Sequence, residues 1–278
     1  MSNPPPAPPD TADREAVQAL VRGLAVMRAL GTRPAGATIA ETAQATGITR
    51  AGARRILLTL AALGYARQDG RRFALTPRVL EIAGGLLAGG PLPVAADPVA
   101  RALCERLECA VSVGLLEGPD VVYLLRHDPP RPIRLGIQAG FRLPAHASSM
   151  GWVLLAGLPP WQVEFQLRRS HLARLTERTE TDPERLLAGI ESVRRAGWSF
   201  LDSAAEDGVA GLSVPIRDAG GRPTAALNLS VRSVRFPPDR AEAELLPVLR
   251  AAAADIEGRM GHAVPPNRPT PPRPTPPA

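Results

Sequence analysis

A group of arginines in the first quarter of the chain has the spacing of a surface that binds DNA. Arg50, Arg54 and Arg55 lie with the small residue Ala51 on one arc of a predicted helix, and Arg71 and Arg72 lie on the hairpin that follows. A small residue such as Ala51 lets a helix sit deep in a major groove, where arginines on its exposed face reach base edges or phosphates. A solvated charged face is the plainer interpretation. The place of this helix as the second of a helix-turn-helix favours contact with DNA.

The basic charge is concentrated in the same segment. All 33 basic residues are arginine, and residues 14–78 hold 11 of them against three acidic residues, whereas the rest of the chain has 22 arginines and 24 acidic residues. A concentrated basic patch favours a polyanion partner, because binding releases counterions. Genome composition would explain arginine in place of lysine, but it would not place the excess in one quarter of the chain.

A second set of residues could hold a small organic anion. It comprises Ser149, Met150 and Gly151 at the start of a predicted helix, Asp202 at the end of a strand, and Asn228 and Ser230 on one face of another strand. Free backbone N–H groups at a helix start can bind a carboxylate. Residues two apart on a strand face the same side, so a pocket between sheet and helix, with a few polar groups in an apolar wall, is expected here.

Catalysis is a weaker interpretation of the same region. His146, Ser149 and Asp202 could be written as a Ser-His-Asp set, but the chain has no G-x-S-x-G elbow and no motif for an oxyanion hole. Cys104 and Cys109 fit buried structural thiols, and two cysteines with four scattered histidines do not suggest a zinc site. We therefore expect no enzyme activity, no metal and no cofactor.

Composition also narrows the cellular setting. The sequence contains no run of 18 apolar residues, so no membrane span is predicted. The N-terminus lacks the basic and apolar regions of a secretory signal. Two cysteines do not make a disulfide framework, so a cytoplasmic protein without a membrane partner is expected. The proline-rich ends, residues 1–13 and 263–278, are expected to be disordered.

The arginines must be positioned by a compact N-terminal domain. Helices are predicted at residues 14–30, at 38–46 with Thr38 as N-cap, and from the N-cap Thr49 through residue 63. Strands at 65–68 and 71–75 flank Asp69-Gly70, a strong hairpin signal. Residues 14–76 thus fit a winged helix-turn-helix DNA-binding domain, and a helix over residues 77–91 would link it to the rest.

The second set belongs to a larger domain at residues 92–262. Helices are predicted at 99–108, 149–157, 161–169, 183–197 and 238–260, and strands at 110–116, 121–126, 134–137, 198–202, 211–215 and 224–231. The irregular order of helices and strands, with two-residue turns, indicates an α+β fold with an antiparallel sheet.

Three stretches together resemble the IclR family of bacterial transcriptional regulators over nearly all of residues 14–262. They are ATGITRAGARRILLTLAALGYARQDGRRFALTPRVLE at 45–81, LPAHASSMGWVLLAG at 143–157 and AALNLSV at 225–231. The segments RGLAVMRAL, TRAGARRILLTL and FALTPRVLE are most similar to the branch that regulates aromatic-acid catabolism by the β-ketoadipate pathway. The resemblance implies a winged helix-turn-helix, a linker helix and a GAF-like effector-binding domain, in a homodimer or tetramer.

The resemblance also assigns residues. Those implied to contact DNA are Thr38, Thr49, Arg50, Ala51, Arg54, Arg55, Arg71 and Arg72; those implied to hold a small organic acid are Ser149, Met150, Gly151, Asp202, Gly211, Asn228 and Ser230. The chain departs from the family at Trp152, where a small basic residue pattern is usual. It departs again at Ala210 and Gly211, where polar side chains are usual, so a bulkier or less polar effector is expected.

These observations predict a cytoplasmic, homo-oligomeric transcription factor. Its partners would be double-stranded operator DNA and an aromatic or dicarboxylic acid effector. A small-molecule sensor or interaction protein without sequence-specific DNA binding is the alternative, and an enzyme is the third.

Overall fold

The structure is a computed structural model that describes residues 16–130 and 137–261. The chain divides into two compact units between Gly89 and Gly90. The expectations for residues 1–13 and 263–278 lie outside the described residues, as does nearly all of the strand expected at 134–137. Within the described ranges, no helix has the length and apolar character needed to span a membrane.

The first unit contains the predicted helix-turn-helix. Its elements are α1 (Gln18–Gly31), β1 (Ala37–Thr38), α2 (Ile39–Thr46), α3 (Arg50–Ala62), β2 (Ala66–Asp69), β3 (Arg72–Leu75) and α4 (Val79–Gly89). Local chemistry fixes the turn between α2 and α3. Gly47, in the left-handed region at φ 68°, ends α2, and the hydroxyl of Thr49 accepts the N–H of Gly52 at 3.1 Å to begin α3.

The wing differs in detail from the prediction. β2 and β3 pair with Asp69 opposite Arg72, so the two-residue turn is Gly70-Arg71, one residue later than Asp69-Gly70. Arg71 therefore lies in the turn instead of on a strand. β1, which the sequence did not predict, pairs with β3 and makes the wing a three-stranded sheet. A two-residue strand is too short to show an alternating pattern.

The buried face of α1 is not the one that its most regular periodicity suggests. Val17, Leu20 and Leu24 are exposed by 66%, 62% and 47%, whereas Val26 and Leu30 are buried in a core with Phe73 and other residues of this unit. The helix carries apolar residues on two faces, and among the described residues only one of these faces is buried in a core. The linker helix begins at Val79, two residues beyond the predicted Pro77.

The second unit is built on a six-stranded antiparallel sheet of order β6-β5-β4-β9-β8-β7. Its strands are β4 (Ala110–Glu117), β5 (Asp120–His127), β6 (Arg142–Pro144), β7 (Ser199–Asp202), β8 (Val209–Arg217) and β9 (Pro223–Arg232). Its helices are α5 (Pro91–Leu107), α6 (Ser149–Ala156), α7 (Pro160–Arg169), α8 (Pro183–Ala196), α9 (Pro238–Arg240) and α10 (Leu246–Arg259). The α+β prediction with an antiparallel sheet is confirmed.

Each face of this sheet has its own core. α5 and α10 cover one face with apolar residues such as Leu103 and Leu249. α6 lies on the other face, backed by α7 and α8, with Met150 and Ile190 in its core. The sheet thus buries alternate residues on both sides, and the site described below lies on the α6 side.

Several boundaries differ from the prediction. α5 begins at Pro91, eight residues before the predicted helix, and includes Pro98. β6 was not predicted, and Ile137 has no regular secondary structure. The predicted final helix contains a π-helical turn, Ala241–Leu245, between α9 and α10.

Candidate functional site

The first candidate surface is the outer side of α3. The residues Thr49, Arg50, Ala51, Arg54 and Arg55 are all exposed. On the opposite side, Ala53, Leu57 and Leu60 are buried and fix the helix to the unit. Within residues 16–130 and 137–261, the guanidinium groups of Arg50, Arg54, Arg55 and Arg71 make no hydrogen bond or ion pair. Four cations are therefore available to an anionic partner.

Besides Thr49, whose hydroxyl caps α3, two more residues of the predicted DNA-contacting set have partners within the unit. Thr38 and Glu41 form a capping box at the start of α2: the N–H of Glu41 donates to Thr38 Oγ1 at 3.2 Å, and the N–H of Thr38 donates to Glu41 Oε2 at 2.7 Å. Arg72 donates to the carbonyl oxygen of Gly36 at 2.9 Å and lies 3.6 Å from Glu41. These contacts position α2 and the wing.

The second candidate site is a cavity between the start of α6 and the sheet. Its empty volume is about 520 Å³, open mouth included. Its lining residues are Tyr123, Arg126, Ile137, Leu143, Ala147, Ser148, Ser149, Leu201, Ala204, Ala205, Glu206, Val209, Gly211, Asn228 and Ser230. The lining is mainly apolar with a few polar side chains, which is typical of a small-molecule site.

A row of polar residues crosses the sheet beneath this cavity. The strand register places five polar residues opposite one another on neighbouring strands. They are Arg126 on β5, Ser112 on β4, Asn228 on β9, Ser213 on β8 and Ser199 on β7. Directly opposed residues share a face of the sheet, so this row lies on the α6 side with its side chains buried. The hydroxyl of Ser199 has no hydrogen-bond partner in the described part of the chain.

Ser149 at the start of α6 docks onto this row. Its Oγ lies 2.8 Å from Ser213 Oγ and accepts a hydrogen bond from Asn228 Nδ2 at 3.1 Å. Ser230 Oγ extends the network by donating to Asn228 Oδ1 at 3.0 Å. A side chain at Gly211 would place its Cβ 2.5 Å from Ser149 Oγ. The bare glycine therefore makes room for this network.

The structure brings together four of the seven residues implied for the effector site. Ser149, Gly211, Asn228 and Ser230 line the cavity. Met150 and Gly151 are not in the lining that the described residues form: Met150 is buried against Gly114, and Gly151 packs closely on the backbone of Ala145.

Asp202 is also outside the lining and has other partners. Its carboxylate binds the Arg178 guanidinium and accepts hydrogen bonds from Ser203, at 2.8 Å, and Ser233. Burial opposes ionisation of Asp202, but the hydrogen bonds from Ser233 and Ser203 and the charge of Arg178 outweigh it and lower its pKa. Asp202 thus anchors the loop that follows β7.

The residues considered for catalysis have separate partners. His146 Nε2 contacts the carbonyl oxygen of Ala173 at 3.0 Å, and burial lowers the pKa of its imidazole. Ser149 is bonded to Ser213 and Asn228 instead. Trp152 donates to the carbonyl oxygen of His146 at 2.7 Å and its ring packs on α8.

Sequence reasoning missed a cation in the cavity. Arg126 is the last residue but one of β5, its side chain is 2% exposed, and it forms an ion pair with Asp128 at 2.7 Å. The one signal in the sequence was a charged residue at the end of an apolar strand, and that signal does not show which way the side chain points. Tyr123, Leu201 and Glu206 were missed for the same reason.

Both units match models of one protein family. The model of the IclR helix-turn-helix domain matches residues 19–70. The model described as bacterial transcriptional regulator IclR C-terminal matches residues 87–258.

Individual proteins are similar over most of the chain. The Pca regulon regulatory protein of Pseudomonas putida is 39% identical over 247 residues, which are 88% of this chain and 85% of that protein. A crystal structure from Rhodococcus sp. RHA1 is 42% identical, with a TM-score of 0.78 over 88% of this chain and 99% of that one. An IclR homologue from Microbacterium hydrocarbonoxydans, complexed with 4-hydroxybenzoate, is 26% identical, with a TM-score of 0.76 over 87% of this chain and 99% of that one.

Proposed function

Because this chain belongs to the IclR family of bacterial transcriptional regulators, we propose that it binds operator DNA through α3 and the wing as a homo-oligomer, under the control of an aromatic acid bound in the second unit. The observation that carries this proposal is that one unit has four guanidinium groups with no partner among the described residues, and that the other unit has a partly polar cavity.

The exposed side of α3 suits a major groove. Ala51 keeps its first turn narrow, and Arg50 and Arg54 are available to bind guanine edges or phosphates. Arg71, at the tip of the wing, would contact the adjacent backbone. Thr38 and Arg72 would act mainly by holding α2 and the wing in place.

A homodimer accounts for the exposed apolar face of α1. Val17, Leu20 and Leu24 form a stripe of the kind that packs against a second helix. Two copies would place their α3 helices in successive major grooves, about 34 Å apart along the DNA, so the operator would be a pseudo-palindrome. The protein would act in the cytoplasm, where its DNA is.

The effector would be a hydroxylated aromatic acid. The relative from Microbacterium hydrocarbonoxydans was solved with 4-hydroxybenzoate, and the cavity has the matching chemistry: Tyr123 and Leu143 as apolar wall, with Ser149 and Asn228 as hydrogen-bonding groups. Binding would change operator affinity through a difference in affinity between two arrangements of the dimer. The role is regulatory and needs no catalysis.

Both parts of this proposal, operator binding and control by an aromatic acid, are tested by binding to the DNA that lies upstream of the protein's own gene. The purified full-length protein is titrated onto this fragment and onto a scrambled fragment at one salt concentration, with and without protocatechuate, 4-hydroxybenzoate or β-ketoadipate. Selective binding that one acid alters supports the proposal. Selective binding that no acid alters removes the aromatic effector, and equal binding to both fragments favours a sensor without sequence-specific DNA recognition.

A further inference from the structure

A buried guanidinium group faces the cavity, and some of its N–H groups have no hydrogen-bond acceptor among the described residues. The Arg126 side chain is 2% exposed and lines the cavity. A buried charge needs both an opposite charge and hydrogen bonds to all its polar atoms to be tolerated. Arg126 has the opposite charge in Asp128, but the described residues supply acceptors for only part of its N–H groups.

Three of the five N–H groups of the Arg126 guanidinium have acceptors among the described residues. Nε donates to the carboxylate of Asp128 at 3.0 Å, Nη2 donates to the same carboxylate at 2.7 Å, and Nη1 donates to Ser112 Oγ at 3.2 Å. One N–H on each terminal nitrogen therefore remains without an acceptor among the described residues, and two such donors match the two oxygens of a carboxylate.

We propose that Arg126 is the residue that binds the carboxylate of the effector, through the free N–H of Nη1 and the free N–H of Nη2. This inference rests on the proposed effector binding and adds the group that recognises the acid. Asp128 neutralises the guanidinium in the structure. Its side chain is 31% exposed, so water solvates this carboxylate when a second one binds to Arg126.

The position of Arg126 in the polar row sets the orientation of the ligand. Ser112 on β4 separates it from Asn228 on β9, so two strand spacings, about 10 Å, lie between their backbones. A benzene ring held by its carboxylate at Arg126 would direct the opposite substituent toward Ser149 and Asn228. Neutral amide and hydroxyl groups at that end suit a hydroxyl and would leave a second carboxylate without a cation.

The test compares an acid with its neutral amide. Calorimetry on the full-length protein measures Kd for 4-hydroxybenzoate and protocatechuate and for the two corresponding amides. The variants are Arg126→Gln, the charge-balanced double variant Arg126→Gln with Asp128→Asn, and the control Arg142→Gln. Arg142 is a half-buried arginine of the same sheet, paired with Glu117 and Asp120 and outside the lining of the cavity.

We expect the wild-type chain to prefer the acid, and Arg126→Gln to lose about 100-fold in affinity for the acid but little for the amide. The double variant should behave likewise, and the control should resemble wild type. Equal wild-type affinity for acid and amide overturns the inference without any variant, as does unchanged acid binding in either folded variant. A wild-type chain that binds none of the four compounds overturns the proposed effector as well, which separates the two failures.

Discussion

Gly211 on β8 and Ser149 at the start of α6 share one small volume: a Cβ on the glycine would lie 2.5 Å from the serine hydroxyl oxygen. The sequence showed only that Gly211 stands where the family usually has a polar side chain. In the structure the hydroxyl of Ser149 points into this space and contacts Ser213 and Asn228 there. The absence of a side chain at Gly211 therefore leaves room for a buried hydrogen-bond network.

Adding a methyl group at Gly211 should therefore be costly. We expect Gly211→Ala to lower the free energy of unfolding by about 1–3 kcal/mol, because the new atom overpacks a buried network, and to weaken effector binding. Chemical denaturation measures the first effect and calorimetry the second. Gly258→Ala on α10 is the matched control, since nothing lies within 4 Å of its Cβ. Equal stability of the two variants would mean that the site relaxes freely.

Arg50 and Arg54 should account for operator recognition. Replacing either by alanine is expected to cost about 1–3 kcal/mol of binding free energy if it makes a bidentate base contact. Fluorescence anisotropy at fixed salt, on operator and scrambled DNA, measures the loss and its sequence dependence. Arg106→Ala, an exposed arginine of the second unit, serves as control. Operator binding like that of wild type in both variants would refute the assignment of α3 as the recognition helix.

Thr38 should act through stability more than through DNA contact. Thr38→Ala removes one half of the capping box and is expected to lower the free energy of unfolding by about 1 kcal/mol, whereas Thr38→Ser keeps the hydroxyl and the stability. Thermal unfolding followed by circular dichroism measures both. Thr59→Ala, at an exposed position of α3, controls for loss of a threonine. A Thr38→Ala variant that melts like wild type but binds operator weakly would assign Thr38 to the DNA instead.

Asp202 should make stability depend on pH. Its pKa in the folded chain is lowered, so its contribution is present in full above the unfolded-state value of about 3.9 and is lost as pH falls through the lower folded value. Denaturation between pH 7 and pH 3 should thus show a smaller acid-induced loss in Asp202→Asn than in wild type. Asp239→Asn, at an exposed position, should keep the wild-type profile. Identical profiles for all three chains would remove this anchoring role.

The apolar face of α1 should hold two copies together. Leu20→Glu and Leu24→Glu place charges on that face, and we expect either to shift a dimer toward monomer and to weaken operator binding with it. Sedimentation velocity over a range of concentrations measures the association state. Val234→Glu is the control, because Val234 is 96% exposed in the second unit. An unchanged sedimentation coefficient in both α1 variants would place the dimer contact elsewhere.

The sequence by itself determined the parts that depend on near neighbours. Gly47 and Thr49 predict the turn between α2 and α3, and the spacing of the arginines after Thr49 predicts the charged side of α3. Both predictions hold because helix caps and helical periodicity depend on residues only a few positions apart. Three residues that line the cavity, Ser149, Asn228 and Ser230, were predicted from the stretches at 143–157 and 225–231, whereas Gly211 came only with the family resemblance.

Only the tertiary structure decided which residues meet. Strand register aligned Arg126, Ser112 and Asn228 across three strands, and no local pattern encodes pairing between segments that distant in the chain. The tertiary structure also placed Asp202 outside the lining of the cavity and left Leu20 exposed on α1. A strand pattern gives the faces of a sheet, but the packing of a helix on one face decides which polar side chain is buried, and with it the chemistry of the site.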